Sequence, residues 1–178
     1  LVLPVALDAG GGDGVWVRLG VMDYLGARLR ESGGVQVTPS DRVVALLSQQ
    51  PHFDATDPAQ LEQVRLITGA SYVLVPQARR RDGAWRISLA VHGSERVQTV
   101  EAEAAGPLDA ADGAVEQVLR LVGIQTRAVD VRPDRLSELL QRIDAASLAG
   151  DHTRARALAA SAPAALRGDP RLRLKAAQ

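Results

Sequence analysis

Apolar and polar positions along the chain follow two periods, and the switches between them divide it into elements. Leu1 to Leu7 (LVLPVAL) is a short apolar run that ends in the turn-forming stretch Asp8 to Gly14, DAGGGDG. It predicts a buried strand and a flexible loop. From Val15 to Glu31, Leu19, Met22, Leu25 or Ala27, and Leu29 recur at helical spacing. That pattern predicts an amphipathic helix, stopped by Gly33-Gly34. Val35 to Thr38 reads as a second strand. Ser40 offers a side-chain oxygen to cap a helix running to about Gln49, with Val43, Val44, Leu46 and Leu47 inward. After a loop at Pro51 to Thr56, Asp57-Pro58 pairs a capping residue with a first-turn proline. The helix it opens carries Leu61, Val64, Leu66 and Ile67 and ends at Gly69.

The clearest strand signal comes next. Ser71 to Arg79 and Ala84 to Val91 flank a turn at Arg80-Arg81-Asp82-Gly83. In the second run Trp85, Ile87, Leu89 and Val91 alternate with Arg86, Ser88 and Ala90, the period of a half-buried antiparallel strand. Asp-Gly suits a tight hairpin because both residues tolerate positive φ. A third strand is expected over Glu95 to Ala104, and a helix over Ala110 to Val122. The order β-α-β-α-α-β-β-β-α defines an α/β (α+β) fold: a mixed sheet with helices on one or both faces.

After Ile124 the texture changes. Gln125 to Arg132 is a polar linker. A helix from Pro133 or Asp134 to about Leu148, a break at Gly150-Asp151, an alanine-rich helix from His152 to Ser161, a connection at Pro163 to Gly168 and a start at Asp169-Pro170 follow. This is the grammar of an α-hairpin repeat, which needs neighbours to bury its face. The division is therefore 1–124, an α/β domain; 125–132, a linker; and 133–178, a helical repeat. The chain starts without Met and stops within an alanine-rich helical run, so both ends read as points inside a longer protein.

Composition narrows the function. Lys plus Arg and Asp plus Glu are 21 each among 178 residues, so no global field draws the chain to nucleic acid or an anionic membrane. Aromatic residues are 3%, too few for base-stacking platforms, and the core must be aliphatic. The absence of cysteine excludes disulfides, thiolate metal sites and cysteine nucleophiles. No apolar stretch reaches the ~20 residues that span a bilayer.

Candidate chemistry is sparse. The glycine-rich loop before the first helix lacks the Lys and Ser/Thr of a phosphate loop, and Asp8 and Asp13 oppose an anion there. His52, His92 and His152 are scattered, without metal-ligand spacing. No GxSxG elbow is present. No cofactor or catalytic residue is assigned. The one basic cluster is Arg79-Arg80-Arg81 with Arg86, suited to an acidic partner or phosphate-bearing ligand, or to a solvated tip that guards an edge strand. Trp16 and Trp85 read first as core residues; exposed, either becomes an interface anchor.

The segment LEQVRLITGASYVLVPQARRRDGAWRISLAV, after an apolar strand, a Gly/Asp-rich loop, a helix and the short VQVT run, resembles the TolB amino-terminal-like domain of CadC-like transcriptional regulators. Gly69-Ala70-Ser71-Tyr72-Val73-Leu74 matches that family's Gly-x-x-Tyr-Val-Leu, and Arg79 to Gly83 match its hairpin turn. Pro76 stands where the family often has glycine, and Leu7-Asp8-Ala9 replaces its usual Asn-Leu-Ser. The likeness covers Leu1 to Ile124. It implies a non-catalytic sensory or interaction domain followed by tetratricopeptide-like helices, whose small-residue positions Gly150, Ala155 and Ala159 match while the aromatic and proline positions do not. It implies too a membrane-anchored parent with this segment in the periplasm, a protein or small-molecule partner, and no direct nucleic-acid contact. A cytoplasmic location and homo-oligomerisation stay open. An envelope scaffold that holds a partner protein with its helices is the alternative.

Overall fold

The computed structural model of the chain describes residues 1–7, 14–93, 96–124 and 133–176. The expected Asp8 to Gly14 loop, Glu95 and the Gln125 to Arg132 linker fall largely or wholly outside them. In chain order the elements are β1 (Ala6–Leu7), α1 (Gly14–Glu31), α2 (Ser40–Ser48), α3 (Pro58–Thr68), β2 (Val73–Arg81), β3 (Ala84–His92), β4 (Val97–Ala104), α4 (Pro107–Leu121), α5 (Arg135–Leu148), α6 (His152–Ala160) and α7 (Pro170–Ala176). The expected α/β class is what is found.

One sheet runs β1-β2-β3-β4, with β1 parallel to β2 and the other pairs antiparallel. The hairpin tip is two residues, Asp82 (φ 52°) and Gly83 (φ 83°), both left-handed as a twisted hairpin requires. Arg80 and Arg81 therefore belong to β2 and not to the turn. Strand β1 is interrupted for a definite reason. Leu74 donates to the Leu1 carbonyl and accepts from the Leu3 N–H, both at 2.9 Å. Two residues on, Pro76 again faces β1 but has no N–H to give. The rung from position 76 to the Leu3 carbonyl is therefore absent. The Val5 N–H donates to the Arg18 carbonyl of α1 at 3.0 Å, and pairing resumes at Ala6–Gln77 and Leu7–Ala78.

Val35 to Thr38 carries no regular secondary structure and joins no strand ladder among the described residues, which corrects the expected second strand. Val35 and Val37 are half-buried against the core and Gln36 is exposed. The alternation thus reports one side facing apolar neighbours, a condition that side-chain packing meets without a paired strand. Ser40 is a second correction. It does not cap α2, whose N-cap is Pro39 with no side-chain bond; its Oγ donates to Asp23 Oδ1 at 2.7 Å. Asp57 caps α3 through the Ala59 N–H at 2.9 Å, and Gly69 closes it with φ 64°, both as the sequence implied. Leu66 and Ile67 on that helix are exposed.

Leu74, Ala78, Ile87, Leu89, Val91 and Val100 share one side of the pleat and are buried. α4 lies against β3 and β4 there, beside α1. Gly113 permits the close approach, since a Cβ on it would lie 3.0 Å from the Ala102 Cβ. Arg28 of α1 fixes the two helices with a 2.6 Å bond from Nε to Asp112 Oδ1. On the other side of the sheet Val73 and Val75 are buried, α3 adds Leu61 and Val64 to the same core, and Gln77, Arg79, Arg86, Glu101 and Glu103 are exposed. By register, residues 97, 99, 101 and 103 point their backbone groups off the β4 edge. Gln117 Nε2 occupies one of those carbonyls, Glu101 O, at 2.6 Å.

α1 departs from the amphipathic expectation. Trp16, Val17, Gly20, Val21 and Tyr24 are buried as well as Leu19, Met22, Leu25 and Leu29. A helix apolar on more than one side is covered on more than one side, and here α5 supplies the second cover. The helices α5, α6 and α7 also hold a small core of their own, with Leu136, Ile143, Ala146, Ala155, Ala159, Ala162 and Leu172.

Candidate functional site

The seam between α1 and α5 brings together residues that local patterning left unconnected. Gly20 makes it possible: a Cβ there would stand 2.9 Å from the backbone oxygen of Gln141, so any side chain would hold the helices apart. Ala145, one turn along α5, is fully buried in the same contact region. Trp16 lies one turn before Gly20 and is 6% exposed. The Arg142 guanidinium stacks over its ring at 4.6 Å from the centroid, and Arg142 Nη2 also pairs with Glu138 Oε1 at 2.8 Å. Such a stacked cation contributes about 1–2 kcal/mol when partly desolvated.

The seam is not fully satisfied. Trp16 Nε1 and Gln141 Oε1, a donor and an acceptor on facing helices, are both buried without a hydrogen-bond partner among the described residues. Each such atom typically costs about 1–3 kcal/mol. Shape complementarity at Gly20 and Ala145 therefore holds the helices together against a polar cost.

Beyond the seam a cleft of about 710 Å³ opens among α1, α2, α5 and α7. Asp23, Arg30, Ser40, Asp41, Asp144 and Lys175 line it. Asp144 pairs with Lys175, so the last described helix is tied to α5 across the cleft floor. Burial raises the Asp144 carboxyl above its ordinary 3.8; the bond and charge of Lys175 oppose the rise, and the like charge of Asp23 adds to it. A carboxyl that binds its proton more tightly when folded adds stability at acid pH, and that contribution is lost as pH rises through the folded value. Wild type should accordingly gain stability relative to Asp144→Asn as pH falls toward the ordinary carboxyl value. Urea midpoints of the two proteins from neutral to acid pH check it; parallel pH profiles would contradict the burial.

The residues that the sequence nominated are placed apart. Arg79, Arg81 and Arg86 share the exposed face of the hairpin, with Arg79 opposite Arg86 and Arg86 opposite Glu103 in register. Arg86 reaches Glu103 Oε2 with Nη2 at 2.8 Å and Nε at 3.1 Å. Arg81 lies 3.6 Å from Asp82 in open solvent. Arg80 is on the opposite face, 5.7 Å from the Trp85 centroid. The basic run is thus split by the pleat and partly neutralised. Trp16 sits in the α1–α5 seam, and its cation is Arg142. Gly20, Gln141, Asp144 and Arg142 were missed, because only the meeting of two helices far apart in sequence gives them a role. A glycine at mid-helix was the one available signal.

Among the described residues, no three His, Cys, Asp or Glu side chains converge as metal ligands, and no helix is long and apolar enough to cross a membrane. No family model, curated protein or solved structure matches the chain.

Proposed function

We propose that this chain is the non-catalytic input region of a signalling protein, in which the α/β domain receives a protein or small-molecule signal and the docked helices pass it on. One observation carries the reading: α5 is seated on α1 by a small-residue contact that leaves two polar atoms unpaired among the described residues. A seam held by shape and burdened by unpaired atoms is a two-position element that modest differential binding can bias. The resemblance of Gly69 to Leu74 and of the following hairpin to the TolB amino-terminal-like domain supports a parent that is a membrane-anchored transcriptional regulator with its sensing segment in the periplasm. A second reading, an envelope scaffold holding a partner with its helices, is favoured by Leu174, an apolar residue 64% exposed on α7.

The test uses the full-length protein and its transcriptional output. Gly20→Leu, which acts at the seam, should make output independent of the signal, while Arg156→Ala on the exposed side of α6 should leave it unchanged. A Gly20→Leu protein that responds to the signal like wild type overturns the relay. A full-length chain without an output domain, whose helices bind a defined partner, decides for the scaffold.

A further inference from the structure

A second cavity lies on the other side of the first turn of α2, and its lining names a ligand class. It holds about 560 Å³ between the 34–39 segment, the 68–72 turn, the sheet, and the ends of α1 and α4. That is within the ~300–1,000 Å³ range of small-molecule sites. Part of its lining is aliphatic, with Leu29, Leu74, Val91, Val118, Leu119 and Ile124, and Gln36, Thr38, Thr68, Ser71 and Tyr72 add polar groups. Arg42 is the one charged side chain among the lining residues. Arg42 is exposed and forms no hydrogen bond or ion pair among the described residues. Beside it, the backbone N–H groups of Val35, Gln36, Val37 and Thr38 are also without hydrogen bonds among the described residues. Those donors are free because this stretch never joins the sheet.

We infer that this cavity binds a small amphiphilic monocarboxylate, its hydrocarbon part against the aliphatic part of the lining and its carboxylate on Arg42. A guanidinium receives a carboxylate through two parallel bonds, and the adjacent free N–H groups accept the same charge sign. The aliphatic part of the lining favours a hydrocarbon chain over water. The lining offers no carboxylate side chain to hold an ammonium, so a cationic amphiphile is refused. α2 forms the partition between this cavity and the polar cleft: Pro39 lines both, Arg42 lines the first, and Asp41, Val44 and Ala45 line the second. Occupancy therefore stands across α2 from the cleft that Asp144 and Lys175 line, and binding itself does not depend on a relay.

Calorimetric titration with sodium decanoate, against hexanoate, decanol and decylammonium, tests the assignment. Decanoate should bind at one saturable site, more tightly than hexanoate, and decylammonium should not bind. Arg42→Gln, at an exposed position that leaves the fold intact, should weaken decanoate about tenfold or more while leaving decanol unchanged. Transferred contacts from the ligand methyl group to Val91 and Leu74 should locate it without any substitution. Absence of saturable decanoate binding, equal affinity in Arg42→Gln, or ligand contacts elsewhere would each overturn the inference.

Discussion

Replacing Gly20 by leucine is expected to lift α5 off α1 and to cost about 3 kcal/mol, the upper end for overpacking a contact. The reason is local. The group that the new Cβ meets is the backbone oxygen of Gln141 at 2.9 Å, not a flexible side-chain end. The helix as a whole must move, and Arg142 then leaves the Trp16 ring. Trp16 supplies the measurement in a Trp85→Phe background: its emission should shift to the red as the indole meets water. Amide exchange should quicken across α5 and α6, while the sheet keeps its protection, as expected of a separable cooperative unit. Unchanged Trp16 emission would show that the helices are not joined here in solution.

Leu89→Ala is expected to cost about 2–5 kcal/mol, as for other buried leucines. Leu89 is 0% exposed and stands in register between Pro76 and Val100, on the sheet side that α4 covers. Neither the strands nor the helix can close the gap without breaking other contacts. For a domain whose total stability is of order 5–15 kcal/mol, that leaves a marginal protein. Urea unfolding should show a lower midpoint at unchanged slope. Val97→Ala, on the edge strand and 56% exposed, removes similar chemistry and should stay within about 0.5 kcal/mol of wild type. Equal losses in the two variants would mean that the covered side of the sheet is not the principal core.

Much of the fold was legible because its signals are local. Asp57-Pro58 and Gly69 bound α3, Asp82-Gly83 makes the hairpin tip, and the alternation from Trp85 to Val91 sorts core from solvent, all as the residues imply. Each of these depends on a few neighbouring residues and their own torsions. Two local signals misled. Val35 to Thr38 has the period of a strand, but two half-buried valines on an irregular segment satisfy it without a ladder. Ser40 has the chemistry of a cap, but Asp23, seventeen residues earlier, takes its hydroxyl proton as a hydrogen bond.

The candidate site was barely legible. The basic run Arg79 to Arg81 looks like one cluster when written on a line, but a strand sends successive side chains to opposite faces, so Arg80 parts from its neighbours. Trp16 was recognised as a residue to bury, without any means of naming what buries it. The sequence by itself determined the period of the hairpin strands, the Asp57 cap and the hairpin turn. Torsional preference and the burial of regularly spaced apolar groups act within a few residues, so they are present in the chain before it folds. Only the tertiary structure decided that α1 is covered twice, that Gly20 admits the backbone of α5, and that α2 divides a charged cleft from a partly aliphatic cavity. Those facts are the packing of surfaces distant in sequence, where shape and the pairing of buried polar groups select the arrangement.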